Sequence, residues 1–200
     1  IGGLERVDAV DQVDVQVAHV DELAHAVDQV GVALRRGAAI VAILAALAAP
    51  SFNPLIERWR VRQAAEALQS TLYFARSEAI KRGGQVVIQK LPNGTNGCTT
   101  APSTDDWGCG WTVCEDTNGN NVCNASEPVL QRYDAPSKLD INNPGGPRIQ
   151  LNRWGLGAFV GFALTPHGKS SGDPAARGVC MSSGGRARAI PPEAIPCAPN

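Results

Sequence analysis

The stretch LIERWRVRQAAEALQSTLYFARSEAIKRGG, residues 55–84, decides the fold because it has the pattern of one long amphipathic helix. Asn53 and Pro54 supply an N-cap and a first-turn proline, and the glycines at 83 and 84 end the pattern. Apolar residues at helical spacing predict the face that packs on a core, and they are Leu68, Leu72, Ala75 and Ala79. The charged residues left for solvent are Arg62, Glu66, Glu78 and Lys81.

An uninterrupted apolar run, AAIVAILAALAA at 38–49, lies just upstream, between Arg35, Arg36 and Pro50. A bilayer-spanning helix needs about 20 residues, so this run by itself indicates a buried helix or the apolar region of a cleaved signal peptide. The amphipathic helix that follows argues against simple cleavage. We therefore interpret residues 38–83 as one hydrophobic-to-amphipathic helix.

Downstream of the helix the chain breaks into short β-branched or aromatic segments, which are typical of antiparallel strands. They are QVVIQK (85–90), GWTVCED (110–116), PVLQRY (128–133), RIQLNRWG (148–155), GAFVGFAL (157–164) and GVCMSS (178–183). With the helix packed on one face, residues 84–200 form the β-rich domain of an α+β fold. Four aromatic residues are expected to be core or half-buried, and they are Trp111, Trp154, Phe159 and Phe162. The aromatic content is too low for a base-stacking surface.

The six cysteines lie in turn-rich surroundings and indicate structural disulfides formed in an oxidising compartment. They are Cys98, Cys109, Cys114, Cys123, Cys180 and Cys197. Their order suggests pairing within residues 98–123 and a separate Cys180–Cys197 bridge, although six cysteines allow fifteen connectivities. A zinc site built from the first four is the alternative, but no pair has CxxC spacing. No cofactor is expected.

Two loops carry weak motif matches. Asp116, Asn118, Asn120 and Glu127 occupy the first, third, fifth and twelfth positions of a calcium-binding loop, but its glycine is out of place. An Asx-rich hairpin turn is therefore the favoured interpretation. The sequence ALTPHGKS at 163–170 fits a relaxed P-loop pattern, yet no helix-forming segment follows it. We interpret it as a turn between two strands.

The stretch GGRAR at 184–188 places Arg186 and Arg188 on one side of an extended segment, beside Gly185. A guanidinium pair on a flexible edge suits phosphate oxygens, although solvated charge at a strand end explains the pattern as well. The only histidine after residue 25 is His167, and no nucleophile or carboxylate pair can be placed beside it. The sequence therefore does not indicate an enzyme.

Four separated segments together resemble the GspH/FimT family of type IV pilin-like proteins: IVAILAALAAPSF, LQSTLYFARSEAIKRGGQVVI, GWTVCEDTNGN and GGRAR. They occur in the family's order and span roughly residues 40–190. The resemblance implies a pilin-like α+β fold, in which a long N-terminal helix packs on an antiparallel β-sheet domain. It also implies a minor pseudopilin or minor pilin, a structural subunit of a type II secretion pseudopilus or a type IV pilus.

The resemblance implies partners and a location as well. Other pilins or pseudopilins would bind through the N-terminal helix, which would cross the bacterial inner membrane once. The C-terminal domain would then be periplasmic or extracellular. The alternative function is DNA binding, because the GRxR pattern of Gly185, Arg186 and Arg188 is similar to the one through which FimT-type minor pilins bind double-stranded DNA for natural transformation. Such binding is electrostatic and weakens steeply with salt.

The first 37 residues depart from the family pattern. Residues 1–34 hold seven acidic residues and one arginine, a net charge of −6, against +5 for the rest of the chain. The family's N-terminal glutamate would fall on Ala33, and the aliphatic run that the family has at 34–39 is here interrupted by Arg35, Arg36 and Gly37. We interpret the segment as the product of a frameshifted or misjoined reading frame, and the rival is an acidic amphipathic helix with spaced valines. Because a charge at the bilayer centre costs about 2.5–3.5 kcal/mol, abnormal insertion is expected.

Overall fold

The computed structural model describes residues 52–198. The predictions made for residues 1–37, and for the apolar part of the helix before residue 52, lie outside this range. The first element described is helix α1, which covers residues 52–82. Within the described residues, no helix combines the length and the apolar character that a membrane crossing requires.

The buried side of α1 is the side that the sequence spacing predicts. The residues at most 1 % exposed include Leu68, Leu72, Ala75 and Ala79. The exposed residues include Arg62, Glu66 and Lys81. Glu78 departs from the prediction, because only 14 % of its side chain is exposed and it forms an ion pair with Arg82 at 2.8 Å. Arg82 also pairs with Glu115, so these charges link the end of the helix to the sheet.

The helix ends in a Schellman motif at the predicted glycine pair. Gly83 and Gly84 have φ angles of 72° and 104°. The Gly84 N–H donates a hydrogen bond of 2.7 Å to the Ala79 carbonyl, which is the six-to-one bond of this motif. Glycine adopts these positive angles without the steric strain that a side chain would cause. The chain therefore turns sharply here and enters the first strand.

Eight strands follow in the described chain and form two antiparallel sheets. They are β1 (Val86–Lys90), β2 (Gly110–Glu115), β3 (Val129–Asp134), β4 (Leu139–Asn142), β5 (Arg148–Leu151), β6 (Val160–Pro166), β7 (Arg177–Met181) and β8 (Ala187–Ile190). One sheet has the order β3-β2-β1-β5 and the other the order β4-β6-β7-β8. The six predicted segments correspond to six of these strands, while β4 and β8 are additional.

One apolar core joins α1 to both sheets. In β2, Trp111 is fully buried and stacks on Tyr133 of β3 with ring centroids 4.5 Å apart. In β6, Phe162 meets Trp107 edge to face, with centroids 5.1 Å apart. The predictions for Trp111 and Phe162 are therefore confirmed. Trp107 is also fully buried, although it precedes β2 in a turn and no strand pattern marked it.

The prediction that Trp154 is core or half-buried is wrong, because 64 % of this residue is exposed. Strand β5 ends at Leu151, and the chain turns from Asn152 onward. Asn152 Oδ1 accepts hydrogen bonds from the N–H groups of Trp154 at 2.9 Å and Leu156 at 3.1 Å. This Asx turn removes the tryptophan from the alternation of the sheet.

Three disulfides close short loops in the sheet domain, and they are Cys98–Cys109, Cys114–Cys123 and Cys180–Cys197. Two lie within residues 98–123 and the third is separate, which is the arrangement that the order of the cysteines suggests. Because all six cysteines are paired, no thiolate is left to ligate zinc.

Candidate functional site

The hairpin between β7 and β8 carries the predicted residues Gly185, Arg186 and Arg188. The Ser182 N–H donates to the Arg186 carbonyl at 3.0 Å, and the Gly185 N–H donates to the Ser182 carbonyl at 2.8 Å. Gly185 has a φ of 77°, which glycine adopts readily. Beyond the turn, Arg188 pairs with Cys180. Because Arg186 and Arg188 are two residues apart, both side chains lie on the face that carries Cys180.

Three side chains of α1 hold this hairpin by its backbone. Arg76 Nη1 donates to the Gly185 carbonyl at 2.9 Å. The Tyr73 hydroxyl donates to the Ala187 carbonyl at 2.6 Å, and Gln69 Nε2 donates to the same oxygen at 3.3 Å. A Cβ added to Gly185 would lie 2.9 Å from the guanidinium carbon of Arg76, so a larger residue would displace that arginine. The hairpin is thus fixed without using the side chains of its own two arginines.

Arg186 and Arg188 line one shallow depression of about 210 Å³. Its other lining residues are Phe159, Cys180, Ser182 and Ala198. Phe159 is half-buried, as predicted, and both arginines are exposed. Within the described chain, neither arginine forms an ion pair with a carboxylate. Two unpaired guanidinium groups beside an aromatic ring offer hydrogen-bond donors to an anionic group.

A second turn, residues 152–156, lies directly against the hairpin. The carbonyl oxygen of Gly155 is 3.0 Å from the point where a Cβ on Gly185 would stand. Gly155 itself has a φ of 67°. In the same turn, the guanidinium carbon of Arg153 lies 5.1 Å from the centroid of the Trp154 ring. Sequence reasoning did not assign this turn to the site, although the Asn-Arg-Trp-Gly run is a turn signal.

The model of the family described as Type II transport protein GspH matches residues 64–185, which is more than half of the chain. The chain belongs to the GspH family. The matched region runs from α1 to the turn between β7 and β8, and it ends one residue before Arg186. A search of curated proteins finds no match.

A solved structure shows the fold of this GspH-family chain. A crystal structure of the type IV minor pilin FimU of Pseudomonas aeruginosa strain PAO1 matches with a TM-score of 0.52 at 22 % identity, over 68 % of this chain and 92 % of FimU. FimU in a second space group gives a TM-score of 0.48 at 23 % identity, over 66 % and 94 % of the two chains. The first match shows the pilin-like α+β fold. The GspH-family chain is a minor pilin or pseudopilin, so the predicted family and fold class are confirmed.

The four residues of the candidate calcium loop lie together between β2 and β3, where their oxygens bond to the loop backbone. Asp116 is buried, and its two carboxylate oxygens accept the N–H groups of Asn120 at 3.0 Å and Asn121 at 2.8 Å. Asn118 Oδ1 accepts the Asn120 N–H at 3.0 Å. Among the described residues, no group of three or more His, Cys, Asp or Glu side chains is placed to hold a metal ion. The loop has the hydrogen bonding of an Asx-rich turn.

Glu127 closes the same loop of the GspH-family chain from its far end. Its two carboxylate oxygens accept the N–H groups of Thr117 and Asn124, each at 2.9 Å. These hydrogen bonds stabilise the anion and lower the pKa of Glu127 below its usual value, and the bond from the Asn124 N–H has the largest effect. A carboxyl with a lowered folded-state pKa stabilises the fold above its unfolded-state pKa, and this contribution is lost as pH falls through the folded-state pKa.

The candidate P-loop is a turn in the described structure. After β6 the chain passes through turns and enters β7 without a helix between them. Lys169, which would grip a phosphate, forms ion pairs with Glu57 at 2.6 Å and Asp173 at 3.4 Å. His167 Nδ1 lies 2.8 Å from Asp140 Oδ1 on the exposed surface. The interpretation of a turn between two strands is confirmed.

Proposed function

We propose that this minor pilin or pseudopilin is an assembly subunit of a type II secretion pseudopilus or a type IV pilus. Its N-terminal helix would anchor it in the bacterial inner membrane and bind other pilins, with the sheet domain in the periplasm or outside the cell. Membership of the GspH family supports this proposal. The observation that carries it is a cluster of exposed apolar side chains near the start of the described helix.

This apolar cluster consists of Leu55, Ile56 and Trp59, which are 62 %, 42 % and 61 % exposed. Residues three and four positions apart are neighbours on a helix, so the three side chains form one surface. Contiguous exposed apolar surface on a folded domain marks a contact with a partner. The helix of a neighbouring subunit is the partner that the pilin family supplies.

Replacing Leu55 and Trp59 together by glutamate is expected to lower recovery of the subunit in sheared filaments at least tenfold. Two carboxylates would have to be buried in an apolar helix contact, which costs several kcal/mol without partners. Immunoblots of the sheared fraction against whole cells would measure the effect. The melting temperature should change little, because both side chains already lie in solvent.

The matched control is Gln63→Glu with Ser70→Glu, which adds the same two charges at exposed polar positions of α1. This variant should enter filaments like the parent. If both double variants were recovered at the parent's level, the apolar cluster would not be an assembly surface.

A second candidate function is the capture of double-stranded DNA during natural transformation. It is favoured by Arg186 and Arg188, which project from a fixed hairpin into one depression and lack carboxylate partners in the described chain. Guanidinium groups so placed can bind successive phosphates of a DNA backbone without reading its sequence. This function is compatible with a place in a filament.

Arg186→Ala with Arg188→Ala is expected to weaken DNA binding at least tenfold in a gel-shift assay at low salt. Each phosphate contact that is removed lowers the number of counterions released on binding. The slope of log K against log salt should therefore become shallower by about 1.8 for two contacts. The matched control is Arg62→Ala with Arg148→Ala, which removes two exposed positive charges elsewhere. Absence of binding by the parent, or equal binding by the hairpin variant, would eliminate this candidate function.

A further inference from the structure

The turn at residues 152–156 and the β7–β8 hairpin lie side by side. Gly155 and Gly185 are in contact, and each is next in sequence to an exposed residue, Trp154 on one turn and Arg186 on the other. Arg76 reaches both turns, because it donates to the Gly185 carbonyl and its Cγ would lie 2.5 Å from a Cβ on Gly155. The relative position of the two turns is therefore fixed by helix α1.

Each of these two neighbouring turns carries cationic groups next to an aromatic ring. Trp154 lies on one turn with the Arg153 guanidinium over its ring. Arg186 and Arg188 lie on the adjacent hairpin, and Phe159 lines the same depression. Within residues 52–198, none of these arginines pairs with a carboxylate. A positive surface interleaved with aromatic rings is the composition that binds single-stranded nucleic acid.

We propose that Trp154 stacks on an unpaired base, so that the surface prefers single-stranded DNA or open strand ends to closed duplex. This inference rests on the candidate DNA-binding function of the hairpin arginines. The large exposed fraction of Trp154, 64 %, leaves ring surface available beside the contact with Arg153. The sequence pattern placed Trp154 in the core, and the low aromatic content argues against an extended base-stacking surface. One exposed ring is nevertheless enough to stack on one base.

The preference follows from which part of DNA each group can reach. The arginines bind phosphates, which single and double strands both present. The indole gains contact only with the face of a base, and inside a closed duplex those faces are stacked on neighbouring pairs. The arginines therefore supply attraction to either form, whereas Trp154 distinguishes between them.

Fluorescence anisotropy on the 200-residue chain in a non-ionic detergent would test this, with a labelled thymidine oligonucleotide and a covalently closed duplex of equal length. The parent is expected to bind the oligonucleotide at least about fivefold more tightly than the duplex. Trp154→Ala should weaken oligonucleotide binding roughly 5- to 150-fold and leave duplex binding and the salt slope unchanged. Trp154→Phe, which keeps a ring, should retain most of the preference.

The control is Val129→Ala, since Val129 is 61 % exposed and lies on β3, in the sheet that does not contain the β7–β8 hairpin. It should bind both DNA forms like the parent. If the parent bound neither form, the DNA-binding candidate and this inference would both fall. If the parent bound duplex through its hairpin arginines while Trp154→Ala and Val129→Ala had equal effects on oligonucleotide binding, only the stacking role would be overturned.

Discussion

Trp111→Ala is expected to lower the free energy of unfolding by about 4 kcal/mol, the largest loss for any single substitution considered. The indole is fully buried and stacks on Tyr133 with centroids 4.5 Å apart. Its Nε1 also donates to the hydroxyl of Thr71 at 3.0 Å, a buried bond that joins β2 to helix α1. Truncation therefore removes apolar contacts, opens a cavity and leaves the Thr71 hydroxyl without this donor.

Guanidinium denaturation of the oxidised chain would measure this loss. Trp111→Phe should cost less, because a ring remains against Tyr133, although the bond to Thr71 and part of the indole's buried volume are lost. Trp154→Ala removes the same side chain from an exposed position, and it should change the free energy of unfolding by less than about 0.5 kcal/mol. Equal effects at positions 111 and 154 would contradict the core described for this domain.

Removing the Cys180–Cys197 bridge by replacing both residues with alanine is expected to cost about 3 kcal/mol of unfolding free energy. The bridge joins residues 17 apart, and chain-entropy theory gives about that value for a loop of this length. In the folded state it holds the C-terminal segment against the outer face of β6, where Cys197 Sγ would lie 3.2 Å from a Cβ on Gly161. With the bridge intact, the chain therefore gains less conformational entropy on unfolding.

The comparison variant is Cys114→Ala with Cys123→Ala, whose bridge closes a loop of 9 residues. Its predicted cost is about 2.6 kcal/mol, so the two variants should be similar, with the longer loop slightly more costly. Denaturation of the parent with and without reductant would provide an independent measurement. If the variant without the Cys180–Cys197 bridge were as stable as the parent, the bridge would not contribute to the free energy of unfolding.

The sequence was sufficient for α1 because helical spacing is a local signal. The spacing of Leu68, Leu72, Ala75 and Ala79 marked the buried face before any partner was known. Strands β4 and β8, LDIN and ARAI, were missed because each has one isoleucine and no β-branched or aromatic residue beside it. The equally short β5 lies in a segment that also contains Trp154. The pairing of β4 and β8 with β6 and β7 depends on residues distant in sequence, which local propensity does not report.

In the candidate site, too, the features with a local signal were predicted and those that depend on long-range contacts were not. The shared side of Arg186 and Arg188 followed from the alternation of an extended chain. The hydrogen bond from Arg76 to the Gly185 carbonyl joins residues 109 positions apart, and the contact between Gly155 and Gly185 also joins separate parts of the chain. The error at Trp154 has a local cause, since RIQLNRWG looks like one strand until the Asn152 side chain caps the turn.

The hydrogen bonds from Tyr73 and Gln69 to the Ala187 carbonyl have a consequence for solubility before assembly. Strand β8 is the last strand of its sheet, and such a border offers unpaired backbone groups to any extended peptide. Here Tyr73 and Gln69 of helix α1 both donate to the Ala187 carbonyl oxygen, which lies at the start of this outer strand. This acceptor is therefore not available to an added strand, which lowers the tendency of this border to pair with a sheet of another copy.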